Sequence, residues 1–196
     1  MRKKVYSLVF DGLADWEPAL ALCEINKSGK FEIITVGFSD RMITTMGGLK
    51  VQPDVTLDQI KQDEAAILII PGGPMWEQQA REDITGLVRQ LHAGGVVIAA
   101  ICGATLEIAR SGLMDDFRHT SNSPEYIRGM VSDYRGDHLY VDQLAVCDGN
   151  LITASGLGCI EFACEILKRI GLYNETESLE LFSMFKYGVV PARFLT

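Results

Sequence analysis

Cys102 occupies a place where a cysteine can do chemistry. The run Val96-Val97-Ile98-Ala99-Ala100-Ile101 is short and wholly apolar, Cys102 ends it, and Gly103-Ala104-Thr105 lead into the helical pattern of Leu106-Glu107-Ile108-Ala109-Arg110. That order reads as a buried strand, a sharp turn carrying the sulfur, and a helix starting at once. The carboxyl end of a strand is where open α/β sheets place their ligands. A helix N-terminus facing the sulfur favours thiolate over thiol. A tight turn needs small neighbours, which Gly103 and Ala104 supply, as in a strained nucleophile elbow. Such a sulfur would attack a carbonyl or amide carbon. The competing reading is an inert cysteine in a hydrophobic strand, because free cysteine is among the most buried residue types.

Four further features converge on the same edge. Pro71-Gly72-Gly73-Pro74 directly follows the apolar stretch Ala66–Ile70, so its backbone N–H groups, with that of Gly103, could hold an oxyanion. A plain strand-to-helix turn would carry the same residues. Glu17 follows the first strand closely. Protonated, it would donate to a thiolate; ionised, it would raise the thiol pKa by repulsion. It could also serve only as a dipole partner in a first helical turn. Asn122 ends the stretch after the Cys102 helix, where its amide could orient a substrate, a role also expected of Gly72. His119 is the tempting general base, but residues three apart on a strand face opposite ways, so His119 and Asn122 do not share a face. His92 falls in a helical pattern and His138 in a loop, neither with an evident partner.

The elements that must position these groups alternate strand and helix. Val5–Phe10 is a strand, Asp15 an expected N-cap for a helix over Trp16–Lys27, and Phe31–Gly37 the next strand, parallel to the first. Ile43–Met46 and Leu49–Val51 flank Gly47-Gly48 as a hairpin off the main sheet. Leu57–Gln62 is a short helix, and Asp83–Ala93 a longer one. Phe117–Ser121 reads as a short strand and Ser123–Val131 as a short helix. Tyr140–Cys147 and Leu151–Ala154 form a hairpin around Asp148-Gly149. Gly158–Ile170 is an amphipathic helix, and Glu177–Tyr187 another with a broad apolar face, which covers the domain or a second copy. The expected architecture is one α/β sandwich over residues 1–196 with a mostly parallel sheet, residues 174–196 forming a C-terminal helical extension.

Composition excludes several classes. The 196 residues suffice for one substantial core, and 47% hydrophobic with 22% charged residues is ordinary for a globular protein. A formal charge of −8 offers no basic face for nucleic acid. No stretch is apolar enough to cross a bilayer, and the start lacks a leader pattern, so a cytoplasmic location is expected. The cysteines at 23, 102, 147, 159 and 164 form neither a disulfide framework nor a zinc pattern. No metal and no cofactor is expected.

Four segments in register resemble the ThiJ/PfpI family, within the class I glutamine amidotransferase-like folds. They are Asp11-Gly12-Leu13-Ala14-Asp15-Trp16-Glu17, Ile69-Ile70-Pro71-Gly72-Gly73, Ala99-Ala100-Ile101-Cys102-Gly103 and Asp148-Gly149-Asn150-Leu151-Ile152-Thr153-Ala154. The resemblance implies a three-layer α/β/α sandwich around a flavodoxin-like sheet. It implies an elbow cysteine at Cys102, a partner glutamate at Glu17, oxyanion amides at Gly73 and Gly103, and a homodimer. Many members carry a histidine directly after the cysteine or at the end of the following strand; this chain has Gly103 and Asn122 there. The expected function is a cysteine-dependent hydrolase or a glyoxalase- or deglycase-type enzyme acting on a small-molecule substrate. The alternatives are a stress-response redox sensor whose cysteine oxidises to sulfinate, and a binding module without turnover.

Overall fold

The structure is a computed structural model that describes residues 2–78 and 80–192. The chain runs β1 (Lys4–Leu8), α1 (Trp16–Ser28), β2 (Glu32–Gly37), β3 (Ile43–Thr44), β4 (Lys50–Val51), β5 (Val55–Thr56) and β6 (Ala65–Ile70). It continues through α2 (Met75–Gln78), α3 (Glu82–Ala93), β7 (Val97–Ile101), α4 (Thr105–Arg110) and α5 (Pro124–Met130). It closes with β8 (Ala145–Asp148), β9 (Leu151–Ala154), α6 (Cys159–Arg169) and α7 (Glu175–Tyr187).

The main sheet has seven strands in the order β5-β2-β1-β6-β7-β9-β8, and every neighbouring pair is parallel except β8 with β9. Its five central strands follow the flavodoxin-like order, in which the chain reverses direction between β1 and the next core strand. Here that crevice lies between the carboxyl ends of β1 and β6.

Alternation along the strands sends side chains to two cores. Tyr6, Leu8, Leu68, Ile70, Ile98, Ala100 and Leu151 face α3, α4 and α5, which contribute Ile84, Val88, Leu106, Ile108 and Ile127. Val5, Ile67, Ile69, Val97, Ala99, Ile101, Ile152 and Ala154 face α1, α6 and α7, through Ala21, Ile25, Phe162, Ile166 and Leu181. Helices therefore cover both faces, giving a three-layer α/β/α arrangement.

The structure departs from the sequence reading at five places. Residues 117–121 form no strand; the segment makes one isolated bridge, His119 with Tyr140. Asp15 does not cap α1, because its carboxylate accepts the Gly47 N–H at the hairpin tip instead. The β5 edge strand and the one-turn α2 lacked enough residues to show a period. The strand expected from Tyr140 begins only at Ala145. The β3–β4 hairpin does form its own two-stranded sheet. The helix α7 lies on α6, burying Ser178 and Leu181 and leaving Leu179 and Phe185 exposed. The expected extension ends in residues 193–196, which lie outside the described residues.

Candidate active site

Three strand ends bring the chemistry together. The residue after β7 is Cys102, held at φ 59°, the one non-glycine residue at positive φ among those described. A left-handed conformation costs an ordinary side chain about 1–2 kcal/mol. The turn holds it because the strand below is fully buried and a 3₁₀ turn over Cys102–Ala104 feeds directly into α4. The sulfur is thereby lifted off the strand end, and the residue is half-buried.

After β1, the first turn of α1 carries Glu17, 1% exposed. Its Oε2 accepts the Gly72 N–H at 2.5 Å, and its carboxyl group hydrogen-bonds Cys102. Gly72 follows β6, and a Cβ there would stand 2.7 Å from Cys102 Cβ and 2.8 Å from Glu17 Oε2. Only glycine lets the backbone pass between the acid and the sulfur. Burial pushes the Glu17 carboxyl up to about 7, against the pull of the Gly72 N–H and the Cys102 hydrogen bond.

The other side of the sulfur is closed by Asn122 and Gly156. Gly156 N–H donates to Asn122 Oδ1 at 3.0 Å, which settles the orientation of the amide: the atom facing a donor must be oxygen. The Nδ2 group therefore points at Cys102 Sγ, 3.6 Å away. A Cβ on Gly156 would lie 2.8 Å from that sulfur. Sequence reasoning missed Gly156, although Ser155-Gly156-Leu157-Gly158 follows β9 at the same sheet edge. The Gly103 N–H is also directed at the sulfur.

The balance of these groups reverses one expectation. Burial pushes the Cys102 thiol up, and Glu17 adds to the rise by its charge and hydrogen bond. The Asn122 amide and Gly103 N–H pull the other way without overcoming it. The turn into α4 does not by itself make a thiolate. Cys102 and Glu17 instead form a pair in which one negative charge is accommodated and two repel.

His119 takes no part in this arrangement. It is fully buried, its Nδ1 lies 2.7 Å from the Phe117 carbonyl and its Nε2 2.6 Å from the Tyr134 hydroxyl. A carbonyl only accepts, so Nδ1 carries the proton and Nε2 accepts from Tyr134. His138 is exposed, and His92 packs edge-on against Phe117. Burial, then Glu77 and to a lesser degree the Cys102 charge, push up the pKa of Tyr126 on α5, whose hydroxyl donates to Glu77 at 2.8 Å. Gly73 is half-buried and follows Gly72; a Cβ there would stand 2.7 Å from the Phe10 ring and 3.0 Å from the Gly12 carbonyl. Among the described residues no cluster of three or more His, Cys, Asp or Glu side chains could hold a metal ion. A cleft of ≈ 430 Å³ between α6 and α7 includes Cys164 and Phe182 but none of these groups.

A sequence model of the DJ-1/PfpI family matches residues 3–169. A Bacillus subtilis protein, YoaZ, named an uncharacterized protease, is 38% identical over 178 residues, 87% of this chain and 85% of its own. A glutathione-independent glyoxalase of Caenorhabditis elegans is 29% identical over 154 residues, 77% of this chain and 80% of its own. The crystal structure of a thiJ/pfpI family protein from Bacillus anthracis superposes with a TM-score of 0.92 at 36% identity, covering 100% of this chain and 95% of that one.

Proposed function

The chain belongs to the DJ-1/PfpI family, and from that premise we propose that it is a cysteine-dependent enzyme acting on small carbonyl compounds. One observation carries the reading: a sulfur on a strained elbow shares a hydrogen bond with a buried carboxyl group, which burial pushes up to about 7. Cys102 is the nucleophile and Glu17 its proton partner. On attack, the thiol proton passes to Glu17 as the C–S bond forms. The carbonyl oxygen takes the negative charge and is held by the N–H groups of Gly73 and Gly103. With a 2-oxoaldehyde, Glu17 then returns a proton to oxygen, giving a hemithioacetal. The same carboxylate moves a proton from the first carbon to the second, and the hydroxyl proton on the first carbon passes to the oxygen on the second, leaving a thioester. Water cleaves that ester to a 2-hydroxy acid and frees the thiol, so 2-oxoaldehyde plus water gives 2-hydroxy acid with no outside oxidant or reductant. Gly72 leaves room for the pair, and Asn122 steadies the sulfur rather than the substrate.

Small-carbonyl chemistry is preferred to peptide hydrolysis because expelling an amine needs a proton donor on the leaving nitrogen. His119, the histidine that the sequence offers as a general base, is committed to Phe117 and Tyr134. Assembly as a homodimer belongs to the proposal, supported by exposed Trp16, Met46 and Leu49 around the hairpin. A cytoplasmic setting is supported by five free cysteines. The test is turnover of methylglyoxal by the wild-type protein and by Cys102→Ala. Activity in the wild type alone supports the proposal, and equal activity in both removes the nucleophile. Mass measurement after graded peroxide separates the redox alternative, which requires uptake of two oxygens at Cys102 and no turnover.

A further inference from the structure

The backbone that carries Gly72 and Gly73 is fastened to the helix that follows Cys102. Trp76 is fully buried, its Nε1–H donates to the Pro71 carbonyl at 2.9 Å, and its backbone closes a turn on the Gly73 carbonyl at 3.4 Å. The Trp76 carbonyl accepts from Arg110 Nη1 at 3.2 Å. Further on, the Arg81 N–H donates to both carboxylate oxygens of Glu107, at 3.2 and 3.3 Å. Glu107 and Arg110 lie one turn apart on α4 and are themselves ion-paired, with side chains 0% and 15% exposed. Gly103 sits beneath this segment: a Cβ there would lie 3.3 Å from both the Gly73 carbonyl and Trp76 Cβ.

Burying an ion pair gives little stability that well-packed apolar residues would not give. Here each partner spends a remaining hydrogen bond on the backbone that follows the glycine turn, Arg110 on the Trp76 carbonyl three residues past Gly73 and Glu107 on the Arg81 N–H at the start of α3, which an apolar pair could not do. We infer that Glu107 and Arg110 are positioning residues that set the Gly72–Gly73 backbone against Cys102. The sulfur and the amides expected to hold the oxyanion then ride on one rigid body, α4 with its turn. The inference rests on the proposed reaction for its catalytic consequence. Its structural content, that the ion pair holds the glycine turn, stands without it.

The experiment compares the wild type with Arg110→Lys and with the double variant Glu107→Gln/Arg110→Met, in which no charge is left unpaired. Amide hydrogen exchange is followed at Gly72 and along β7, together with methylglyoxal kinetics and the rate of Cys102 alkylation by iodoacetamide. In the double variant, Gly72 exchange is expected to accelerate at least tenfold while β7 keeps its protection. The kcat is expected to fall tenfold or more with KM within twofold, because a displaced amide fails the oxyanion and not ground-state binding. Alkylation, which needs no oxyanion donor, stays within twofold. Arg110→Lys, which keeps the charge but not the fork, falls between the two and covers the case in which the double variant does not fold. Unchanged exchange at Gly72, or protection lost equally from β7, overturns the inference. If the wild type turns nothing over, the proposed reaction fails and the exchange arm alone decides this one.

Discussion

Glu17 and Glu107 are two glutamates with almost the same address and opposite surroundings. Each lies near the start of a helix that follows a central strand, and each is essentially inaccessible to water. Burial pushes both carboxyl groups up. Around Glu107 the guanidinium of Arg110 pulls it back. Around Glu17 no cation acts, and only the Gly72 N–H and the Cys102 hydrogen bond oppose the rise. The difference teaches that burial supplies the strain on a charge and the partner decides its use. A carboxylate with a buried cation is a fixed tie, whereas one facing a neutral thiol is free to exchange a proton near neutral pH.

The sharpest way to break that comparison is to neutralise each acid in turn. Glu17→Gln should cut turnover by roughly 10²–10⁴-fold, the range of a lost acid–base group, with the melting temperature at pH 8 unchanged or higher. Glu107→Gln leaves Arg110 buried and unpaired and should destabilise by about 3 kcal/mol in a urea titration. If Glu17→Gln destabilises and leaves turnover intact, the two roles have been assigned the wrong way round.

Stability against pH sharpens it next. A carboxyl raised from 4.5 to about 7 on folding holds its proton where the unfolded chain has lost it. Its contribution is therefore present at low pH and lost as pH rises through 7. The loss should approach roughly 3 kcal/mol between pH 4.5 and 8, by linkage at 1.36 kcal/mol per pKa unit. Comparing the wild type with Glu17→Gln isolates it, since the variant should lack that slope. A slope shared by both proteins assigns it elsewhere.

A smaller effect reads the sulfur directly. The pH midpoint of Cys102 alkylation should fall in Glu17→Gln, where repulsion is gone, and rise in Asn122→Ala, where a donor is gone. Shifts of about one unit each correspond to about 1.4 kcal/mol. A fall in both variants would contradict the orientation of the Asn122 amide, and a rise in both would contradict the repulsion from Glu17. The mildest prediction concerns His119. His119→Gln should lower stability by about 1–2 kcal/mol through its broken bonds to Phe117 and Tyr134. Turnover per folded molecule should not change, as measured by activity normalised to native protein.

Much of this corner was legible in the chain itself. The apolar runs before Pro71 and Cys102 read as buried parallel strands, because a strand covered on both faces needs no polar alternation. Cys102, Glu17, Gly72, Gly73 and Asn122 were each placed at the sheet edge by the strand they follow, and the structure brings the first three and Asn122 into contact. Residues 117–121 misled because their β-like composition serves an irregular segment pinned by side chains, among them Thr120 and His119. Gly156 was overlooked because its use depends on a sulfur that arrives from another strand.

Short-range physics decided what the sequence alone determined: alternation and helical period set the α/β order, and small residues after an apolar run set the elbow at Cys102. The tertiary structure alone decided the chemistry of that sulfur. Its proton affinity is a sum over Glu17, Asn122, Gly103 and the surrounding low dielectric. The same holds for His119, which packing turned away, and for the tie from Glu107 and Arg110 to the glycine turn. Electrostatic energy in a buried site depends on distances of a few ångströms between groups remote in the chain, and no spacing along a sequence encodes those distances.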